Sequence, residues 1–320
     1  MVVLPAIVNN FGGFLSSLIY YWWILMVKNP VIYIDGEFVP SEEAKISVFD
    51  HGLLYGDGIF EGIRVYDGVV FKLDAHLDRL YRSARAMLLT IPLEKAVMKA
   101  TVLETLRRNK YRDSYIRLLV TRGKGDLGVN PKKCPKASVV IINVQVEPMH
   151  GHGSKNGIST IIASIRRQAP DSTSHEVKSL NYLNSVLAML EANRQGADDA
   201  IILDQRGYVA EATGTTLVAI CGGALHAPPL TASILDSITR RFVLNMAQEL
   251  GYRVREEDMT PFQLLMADEV FLCGTMGEIT PVESINGQRI GNRTPGPVTQ
   301  HLISEYEVRR KQPEYGTSIY

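Results

Sequence analysis

One segment decides how this chain is interpreted: Val177-Lys178-Ser179-Leu180-Asn181-Tyr182-Leu183-Asn184. From Ser179 to Ala192 the apolar residues follow the spacing of a helix with one buried face, at Leu180, Leu183, Val186, Leu187 and Leu190. Lys178 is therefore expected just before a core helix. An amine partly buried at this place is expected to act as a nucleophile toward a carbonyl group. A lysine that merely begins a helix is the alternative.

The composition is that of an ordinary globular protein and excludes several classes of function. Its 320 residues suffice for one large or two medium domains. The 34 lysines and arginines balance 34 aspartates and glutamates, so the chain has no electrostatic footprint for nucleic acid. The chain has three cysteines, which are far apart and match no metal-binding pattern: Cys134, Cys221 and Cys273. This pattern is typical of reduced cysteines in a cytoplasmic protein.

Two patterns that resemble ligand sites lack the context that those sites need. Residues 123–128 have the glycine spacing of a dinucleotide fingerprint, but Pro131 and Pro135 follow where the required helix would begin. His150 and His152 have no carboxylate or cysteine at ligand spacing. We therefore predict a glycine turn at the first pattern, a loop at the second, and no metal site.

The N-terminal segment, residues 1–27, differs from the rest of the chain. It carries no charge and is strongly apolar from residue 14 onward. A membrane span needs about 20 consecutive apolar residues, whereas a proline, asparagines and glycines interrupt this run, and no signal-peptide pattern is present. The segment could be a membrane anchor, an extension packed on the protein, or the product of an upstream start codon read in error. We favour the third, because Met26 directly precedes a plausible domain start.

The remaining sequence predicts two domains of mixed α/β (α+β) class. Strands are predicted at 31–34, 37–39, 44–48, 62–66, 69–73, 114–121 and 137–146, and helices at 73–86, 93–109 and about 298–311. Two Asp-Gly pairs, at 35–36 and 67–68, predict hairpin turns. The domains are a small N-terminal one at 28–147 and a large C-terminal one at 156–320. The loop 148–155, rich in glycine and histidine, is expected to join them.

A phosphate site is predicted where Ser237 begins a helix. As the N-cap, Ser237 leaves the amides of Ile238 and Thr239 free to donate to an anion. The turn 274–277, which contains Thr275, offers further backbone donors, and Arg79 on an otherwise core-facing helix could bind a phosphate with its forked guanidinium. An ordinary capped helix and a surface ion pair are the respective alternatives.

A carboxylate completes the set. Glu211 lies in Tyr208-Val209-Ala210-Glu211-Ala212-Thr213-Gly214, on a strand that follows the lysine helix. A lysine nucleophile, a phosphate site and a carboxylate are the three requirements of pyridoxal 5′-phosphate. The lysine binds the aldehyde, the phosphate anchors the ring, and the carboxylate keeps the pyridine nitrogen protonated.

From Val31 to about Glu305 the chain resembles the class IV (fold type IV) pyridoxal-phosphate enzymes, specifically the branched-chain amino acid aminotransferases. The resemblance rests on the segments 49–64, 76–80, 114–117, 178–184, 211–214 and 273–282. It implies the two-domain fold of D-amino acid aminotransferase, with the large domain binding the cofactor. It also implies a homodimer or higher homo-oligomer, and amino transfer from valine, leucine or isoleucine to 2-oxoglutarate.

The resemblance assigns a role to each matched residue. Lys178 would bind the cofactor and move the proton, Tyr182 would hydrogen-bond its phenolic oxygen, and Glu211 would pair with its ring nitrogen. The phosphate would be held by Arg79, the amides of Ile238 and Thr239, and Thr275. The α-carboxylate of the substrate would meet the amides of Thr275 and Met276, with Tyr115 nearby. Phe60 and Tyr55, the latter from this chain or its partner, would line the apolar side-chain pocket. Arg117 would meet the distal carboxylate of glutamate.

Some positions depart from the family pattern. Thr216 stands where an asparagine is usual, Ser237 where a glycine is common, and Met276-Gly277 where two small residues are usual. These changes leave the chemistry intact and bear on the substrate range. D-amino acid transaminase, (R)-amine transaminase and aminodeoxychorismate lyase therefore stay as alternatives of the same fold, and a cofactor-binding relative without activity as a further one. A membrane would be a partner only if the N-terminal segment is inserted.

Overall fold

The computed structural model describes residues 29–146 and 156–320. The apolar segment 1–27 and the expected interdomain loop 148–155 lie outside the described residues. Two β-sheets, one of seven strands and one of nine, form the framework, with helices packed on them. The mixed α/β class predicted from the sequence is confirmed.

The strands are numbered in chain order. They are β1 (Val31–Ile34), β2 (Glu37–Pro40), β3 (Gly58–Tyr66), β4 (Val69–Phe71), β5 (Ser114–Thr121), β6 (Ser138–Val144), β7 (Ile158–Arg166), β8 (Asp199–Leu203), β9 (Val209–Ala212), β10 (Thr216–Cys221), β11 (Ala224–Ala227), β12 (Val254–Glu256), β13 (Glu269–Gly274), β14 (Glu278–Ile285), β15 (Gln288–Arg289) and β16 (Gly316–Ser318). The helices are α1 (His51–Tyr55), α2 (Leu73–Ala86), α3 (Lys95–Asn109), α4 (Leu183–Arg194), α5 (Ile238–Glu249), α6 (Pro261–Leu265) and α7 (Pro297–Arg309).

The first sheet is antiparallel, with the order β16-β4-β3-β5-β6-β1-β2. Helices α2 and α3 cover it and bury a core of aliphatic side chains that includes Leu77, Leu80 and Val102. Strand β16 comes from the C-terminal end of the chain, and the sequence patterns did not predict it. Ile319, directly after β16, is fully buried in the same core.

The second sheet is mixed, with the order β12-β11-β10-β13-β14-β7-β8-β9 and β15 paired with β14. Strand β7 lies parallel to both β8 and β14, whereas most other pairs are antiparallel. Strand β9 pairs with β8 and also with β10, through Glu211 and Thr216. The strands from β10 to β9 therefore form a closed ring, in which Glu211 of β9 pairs with Thr216 of β10.

Both predicted Asp-Gly hairpins are confirmed. Asp35 and Gly36 have φ angles of 50° and 114°, and Asp67 and Gly68 have φ angles of 48° and 82°. Positive φ at both central residues is the geometry of a tight hairpin turn, which aspartate and glycine tolerate better than other residues. These turns fix the registers of β1 with β2 and of β3 with β4.

The strand predicted at 44–48 is wrong. This segment is irregular and leads into α1, and Ile46 and Val48 are 49% and 68% exposed. The alternating apolar residues indicated a strand, but β1 and β2 already occupy this edge of the sheet.

The helix predicted from Ser179 begins later, at Leu183, and its predicted buried face is also wrong. Ser185, Ala188 and Ala192 face the core of β7 and β8, where their small side chains allow a close approach. The apolar stripe faces outward instead, with Leu183 at 67% exposure and the others also exposed: Val186, Leu187 and Leu190. The helical period is confirmed from Leu183 onward, but periodicity alone does not show which face meets the sheet.

No helix within residues 29–146 and 156–320 combines the length and the apolar character that crossing a bilayer requires.

Candidate active site

A cavity of about 350 Å³ is lined by residues of both sheets. Ten of the residues predicted for the site line it: Phe60, Arg79, Tyr115, Arg117, Lys178, Tyr182, Glu211, Ile238, Thr275 and Met276. Two predicted residues do not. Thr239 is buried one residue deeper in α5, and Tyr55 is 38% exposed, with its hydroxyl donating to the Leu127 carbonyl.

Lys178 is positioned by its own backbone. Its carbonyl accepts from the Phe60 amide at 3.0 Å, and the Leu180 amide donates to the Gly58 carbonyl at 2.9 Å. The segment before α4 is thus extended and paired with the start of β3, which is why the helix begins late. The Lys178 side chain lies in the cavity, with Nζ 3.1 Å from the hydroxyl of Tyr182 and 4.5 Å from the ring centroid of Phe60.

Glu211 projects from β9 into a buried position at the cavity wall. Its Oε2 accepts from the Leu235 amide at 3.3 Å. Its Oε1 lies 3.1 Å from both Arg167 Nη2 and His175 Nε2, but at angles that make no hydrogen bond. Burial raises the pKa of Glu211, and the nearby Arg167 guanidinium opposes that rise. One buried carboxylate oxygen is therefore left without a hydrogen-bond donor, facing the cavity that holds Lys178.

The start of α5 provides the expected anion site. Ser237 accepts from the Arg240 amide at 3.2 Å, which is the N-cap geometry predicted from the sequence. The first amides of a helix have no partner within the helix, so those of Ile238 and Thr239 remain for a ligand. Arg79 Nη1 donates to the Asp236 carbonyl at 2.9 Å, which places the guanidinium beside the helix start.

Arg79 belongs to a buried cluster that sequence reasoning missed. Its Nε and Nη2 donate to Glu61 at 2.7 Å, and His76 Nδ1 lies 2.7 Å from the same carboxylate. Burial alone would raise the pKa of Glu61, but Arg79 and His76 lower it to about 2. A surface ion pair is thus the wrong interpretation of Arg79. The signal available in the sequence was the charged Glu61 within an apolar strand.

Another part of the cavity wall combines two aromatic rings with a cation. The Arg117 guanidinium lies 4.7 Å from the ring centroid of Phe60 and 5.4 Å from that of Tyr115. A Cβ at Gly62 would lie 2.1 Å from the Tyr115 hydroxyl, so the glycine makes room for this phenol. Burial raises the pKa of Tyr115, although Arg117 opposes the rise, so the hydroxyl stays a neutral donor at pH 7.

Arg167 and His175 also line the cavity, and sequence reasoning gave them no role. Both precede Lys178 in the chain, in the segment that joins β7 to α4. A buried arginine leaves little trace in a sequence, because Arg167 follows Arg166 at a strand end and reads as a solvated pair. Only its place beside an apolar strand was a signal.

The chain resembles known proteins over most of its length. The amino-transferase class IV family profile matches residues 58–285. The chain is 49% identical over 290 residues to a putative branched-chain-amino-acid aminotransferase of Methanocaldococcus jannaschii, covering 90% of this chain and 99% of that protein. It is 37% identical to the branched-chain-amino-acid aminotransferase of Escherichia coli strain K12, covering 86% and 91% of the two chains.

Solved structures agree with these relatives. The crystal structure of the Escherichia coli branched-chain amino acid aminotransferase superposes with a TM-score of 0.86 at 36% identity, covering 88% of this chain and 95% of that one. The T.th. branched-chain amino acid aminotransferase, complexed with N-(5′-phosphopyridoxyl)-L-glutamate, gives 0.86 at 38% identity, covering 92% and 100%. On this match and on the residues that line its cavity, the chain belongs to the class IV aminotransferases, whose cofactor is pyridoxal 5′-phosphate.

Proposed function

We propose that this protein is a branched-chain amino acid aminotransferase that transfers the amino group of leucine, isoleucine or valine to 2-oxoglutarate. One observation carries the proposal. A single cavity is lined by the Lys178 amine, by Glu211 with one oxygen that accepts no hydrogen bond, and by a helix start suited to phosphate. Aromatic rings beside the Arg117 cation line the same cavity. The relatives of the chain named above carry the same activity in their names.

The residues present fit pyridoxal 5′-phosphate. The undonated Oε1 of Glu211 is a buried acceptor, which suits a protonated ring nitrogen. A guanidinium has five N–H donors, and Arg79 uses three of them on Glu61 and Asp236, which leaves two for a phosphate. The amides of Ile238 and Thr239 and the Thr275 hydroxyl would complete the phosphate site, and the Tyr182 hydroxyl would meet the phenolic oxygen.

The proposed chemistry assigns a task to each side chain. When bound, the cofactor supplies an aldehyde for the amino group and a ring that withdraws electrons. Lys178 Nζ takes the proton from the α carbon of the amino acid and returns one at the end of the transfer. The Tyr182 hydroxyl, 3.1 Å from that nitrogen, orients the amine. Glu211 keeps the ring nitrogen protonated because its oxygen is anionic and has no other hydrogen-bond donor.

The substrate would lie between the turn at Thr275 and the Phe60 ring. The amides of Thr275 and Met276 would bind the α-carboxylate, with the Tyr115 hydroxyl beside it. Aliphatic side chains would pack on Phe60, whereas the distal carboxylate of glutamate would meet Arg117. Because burial of an unpaired carboxylate costs several kcal/mol, one cation within an apolar pocket lets two unlike substrates share the site.

The two sheets support the division into domains proposed from the sequence. Strands β1 to β6 precede residue 145 and all belong to the first sheet, and β7 to β15 all belong to the second. We therefore place the domains at 28–147 and 156–320, with 148–155 as their connection and β16 returning to the first sheet. A cytoplasmic location is also proposed, since all three cysteines are free thiols.

The minimal unit is proposed to be a homodimer. Exposed apolar side chains lie on α1, on the loop after β5 and on α4: Leu53, Tyr55, Leu127, Val129, Leu183, Val186, Leu187 and Leu190. The Tyr55 hydroxyl contacts the Leu127 carbonyl, and the Asn181 amide donates to the Gly56 carbonyl at 3.0 Å, so these three elements adjoin. An exposed apolar surface of this extent is typical of a subunit interface.

A substrate panel tests the activity. The purified protein with pyridoxal 5′-phosphate should show a visible absorption band that shifts on addition of L-leucine and recovers on addition of 2-oxoglutarate. D-amino acids, (R)-amines and aminodeoxychorismate serve as the competing donors. A band that no amino donor changes, or one changed only by a competing donor, would contradict the proposal.

Light scattering tests the dimer. Leu187→Glu should produce monomers, because it places a charge in the proposed interface, whereas Phe262→Glu should not. Phe262 is equally apolar and 71% exposed, but it lies on α6 outside this surface. Two dimeric variants would place the interface elsewhere.

A further inference from the structure

Arg167 is held behind Glu211 by a set of neutral acceptors. It is 1% exposed, and it is among the largest fully buried side chains within residues 29–146 and 156–320. Its Nη1 donates to Asn184 Oδ1 at 3.1 Å and to Ser185 Oγ at 3.0 Å, and its Nη2 donates to the Ala212 carbonyl at 2.8 Å. The guanidinium therefore ties the start of α4 to β9, with Nη2 beside Glu211.

His175 approaches the same carboxylate oxygen from the segment that precedes Lys178. Its Nε2 lies 3.1 Å from Glu211 Oε1, and its ring centroid is 5.7 Å from that of Tyr182. Burial lowers the pKa of His175 well below 6.5, and the Arg167 and Lys178 charges lower it further. At neutral pH the imidazole is therefore uncharged, and the only hydrogen it can present to the carboxylate is one on Nε2.

Arg167 and His175 affect the charge of the buried Glu211 carboxylate in different ways. A buried carboxylate without a counter-charge would take up a proton and lose its hold on a protonated ring nitrogen. Arg167 supplies that counter-charge. A second cation on the same oxygen would leave too little negative charge to attract the ring. A neutral imidazole restrains the carboxylate without adding positive charge.

We propose that Arg167 and His175 are positioning residues that hold Glu211 Oε1 toward the ring nitrogen of the cofactor, Arg167 as its counter-charge and His175 as its uncharged guide. This inference rests on the proposed function, since it assumes a bound pyridoxal 5′-phosphate. Within the described residues no hydrogen bond, ion pair or ring contact joins either residue to Arg117 or Phe60, so Glu211 is the group through which both are proposed to act.

Variants of His175 separate guidance from packing. His175→Leu keeps the volume and removes the imidazole nitrogen that lies 3.1 Å from Glu211 Oε1, whereas His175→Gln keeps an N–H group near the Nε2 position. His226→Leu is the matched control, because His226 also faces a glutamate: its Nδ1 lies 2.7 Å from Glu257 Oε1. His226 lies on β11, outside the cavity. The measurements are the ¹⁵N chemical shift of ring-labelled cofactor bound to each protein, and kcat and KM with L-leucine.

We expect the ring nitrogen to be protonated in the wild-type protein and in His226→Leu at pH 7. In His175→Leu its signal should move toward that of the unprotonated ring, and kcat should fall about tenfold with KM nearly unchanged. His175→Gln should restore most of both quantities. A His175→Leu protein that matches His226→Leu in shift and kcat would overturn the inference, and so would equal losses in His175→Leu and His175→Gln.

Arg167→Gln provides a second arm that tests the counter-charge. The glutamine amide can still reach some of the acceptors of Arg167 but carries no charge. Without the counter-charge Glu211 should take up a proton. The ring nitrogen of the cofactor should then lose its proton at a lower pH than in the wild-type protein. An unchanged pH midpoint in the folded variant would remove Arg167 from the inference. If Arg167→Gln does not fold, the His175 pair decides alone. A wild-type protein that binds no cofactor would overturn the proposed function as well.

Discussion

Glu61 and Glu211 are both buried near the cavity, and each has an arginine and a histidine beside it, yet their oxygens differ. Both oxygens of Glu61 accept short hydrogen bonds from Arg79, and His76 adds another. Glu211 Oε1 lies near two nitrogens and accepts a hydrogen bond from neither. The pKa of Glu61 is lowered to about 2, whereas that of Glu211 is raised by burial. A fully partnered ion supports the fold, and a partly partnered one is available to a ligand.

The largest effect is expected at Lys178, the one lysine among the described residues that line the cavity. Lys178→Ala should replace the absorption band of the lysine-bound cofactor by that of the free aldehyde and lower kcat by about 10⁴-fold or more, because no other amine can replace the nucleophile. The absorption spectrum and single-turnover rates with L-leucine measure this. Lys72→Ala is the control, since Lys72 lies at the start of α2 outside the cavity. Full activity in Lys178→Ala would end the proposed function.

Replacing each glutamate by glutamine tests the comparison directly. Glu211→Gln should keep the cofactor bound but lower kcat by roughly 10²- to 10³-fold, since a neutral amide no longer holds the ring nitrogen protonated. Glu61→Gln should instead lower the free energy of unfolding by about 3 kcal/mol, because it leaves the Arg79 charge buried without its partner. Urea unfolding and steady-state kinetics separate the two outcomes. If both variants lose stability and activity alike, the contrast between the two glutamates is wrong.

The pH dependence of stability should also have opposite signs at the two sites. The folded pKa of Glu61 is about 2 against an ordinary 4.5. Its contribution, on the order of 3 kcal/mol, is therefore present above pH 4.5 and lost as the pH falls toward 2. Glu211 has a raised folded pKa. Its carboxylate thus costs stability as the pH rises above about 4.5.

Urea midpoints of the cofactor-free proteins between pH 7 and 3 provide the measurement. Glu61→Gln should lose part of the acid sensitivity of the wild-type protein, and Glu211→Gln should keep it. A loss of acid sensitivity in Glu211→Gln would mean that Glu211, like Glu61, is fully partnered before the cofactor binds.

The sequence predicted much of this arrangement because several patterns have local causes. The Asp-Gly turns need positive φ, and Ser237 caps the helix that it precedes, so both follow from a few adjacent residues. The return of β16 to pair with β4 and the outward face of α4 depend on contacts with other segments of the chain. The Glu61 cluster joins β3 to α2, and Arg167 joins α4 to β9, and no periodicity records such contacts.

The two arginines Arg79 and Arg117 differ in the same way as the two glutamates. A substitution of Arg117 is expected to have the smallest effect on the reaction. Arg79 has a buried carboxylate partner, whereas Arg117 has no ion pair within residues 29–146 and 156–320 and contacts aromatic rings instead. By the same reasoning Arg117 is available to a ligand, and the carboxylate of glutamate is the one that the proposed reaction supplies. Arg117→Leu should therefore slow the half-reactions with glutamate and 2-oxoglutarate by roughly tenfold to a hundredfold, a cost of about 1.4 to 2.7 kcal/mol.

The half-reaction with leucine is the internal control for Arg117→Leu, because an aliphatic side chain makes no ion pair. Stopped-flow measurement of the cofactor absorbance gives both half-reactions on one preparation, so a loss of folded protein would lower the two amplitudes equally without changing their rate ratio. A loss of rate with glutamate alone would show that Arg117, like Glu211, is an ion without a full set of partners that is available to a ligand. Equal losses in rate with both substrates would show that Arg117 supports Phe60 and Tyr115, and the distal carboxylate would then need another partner.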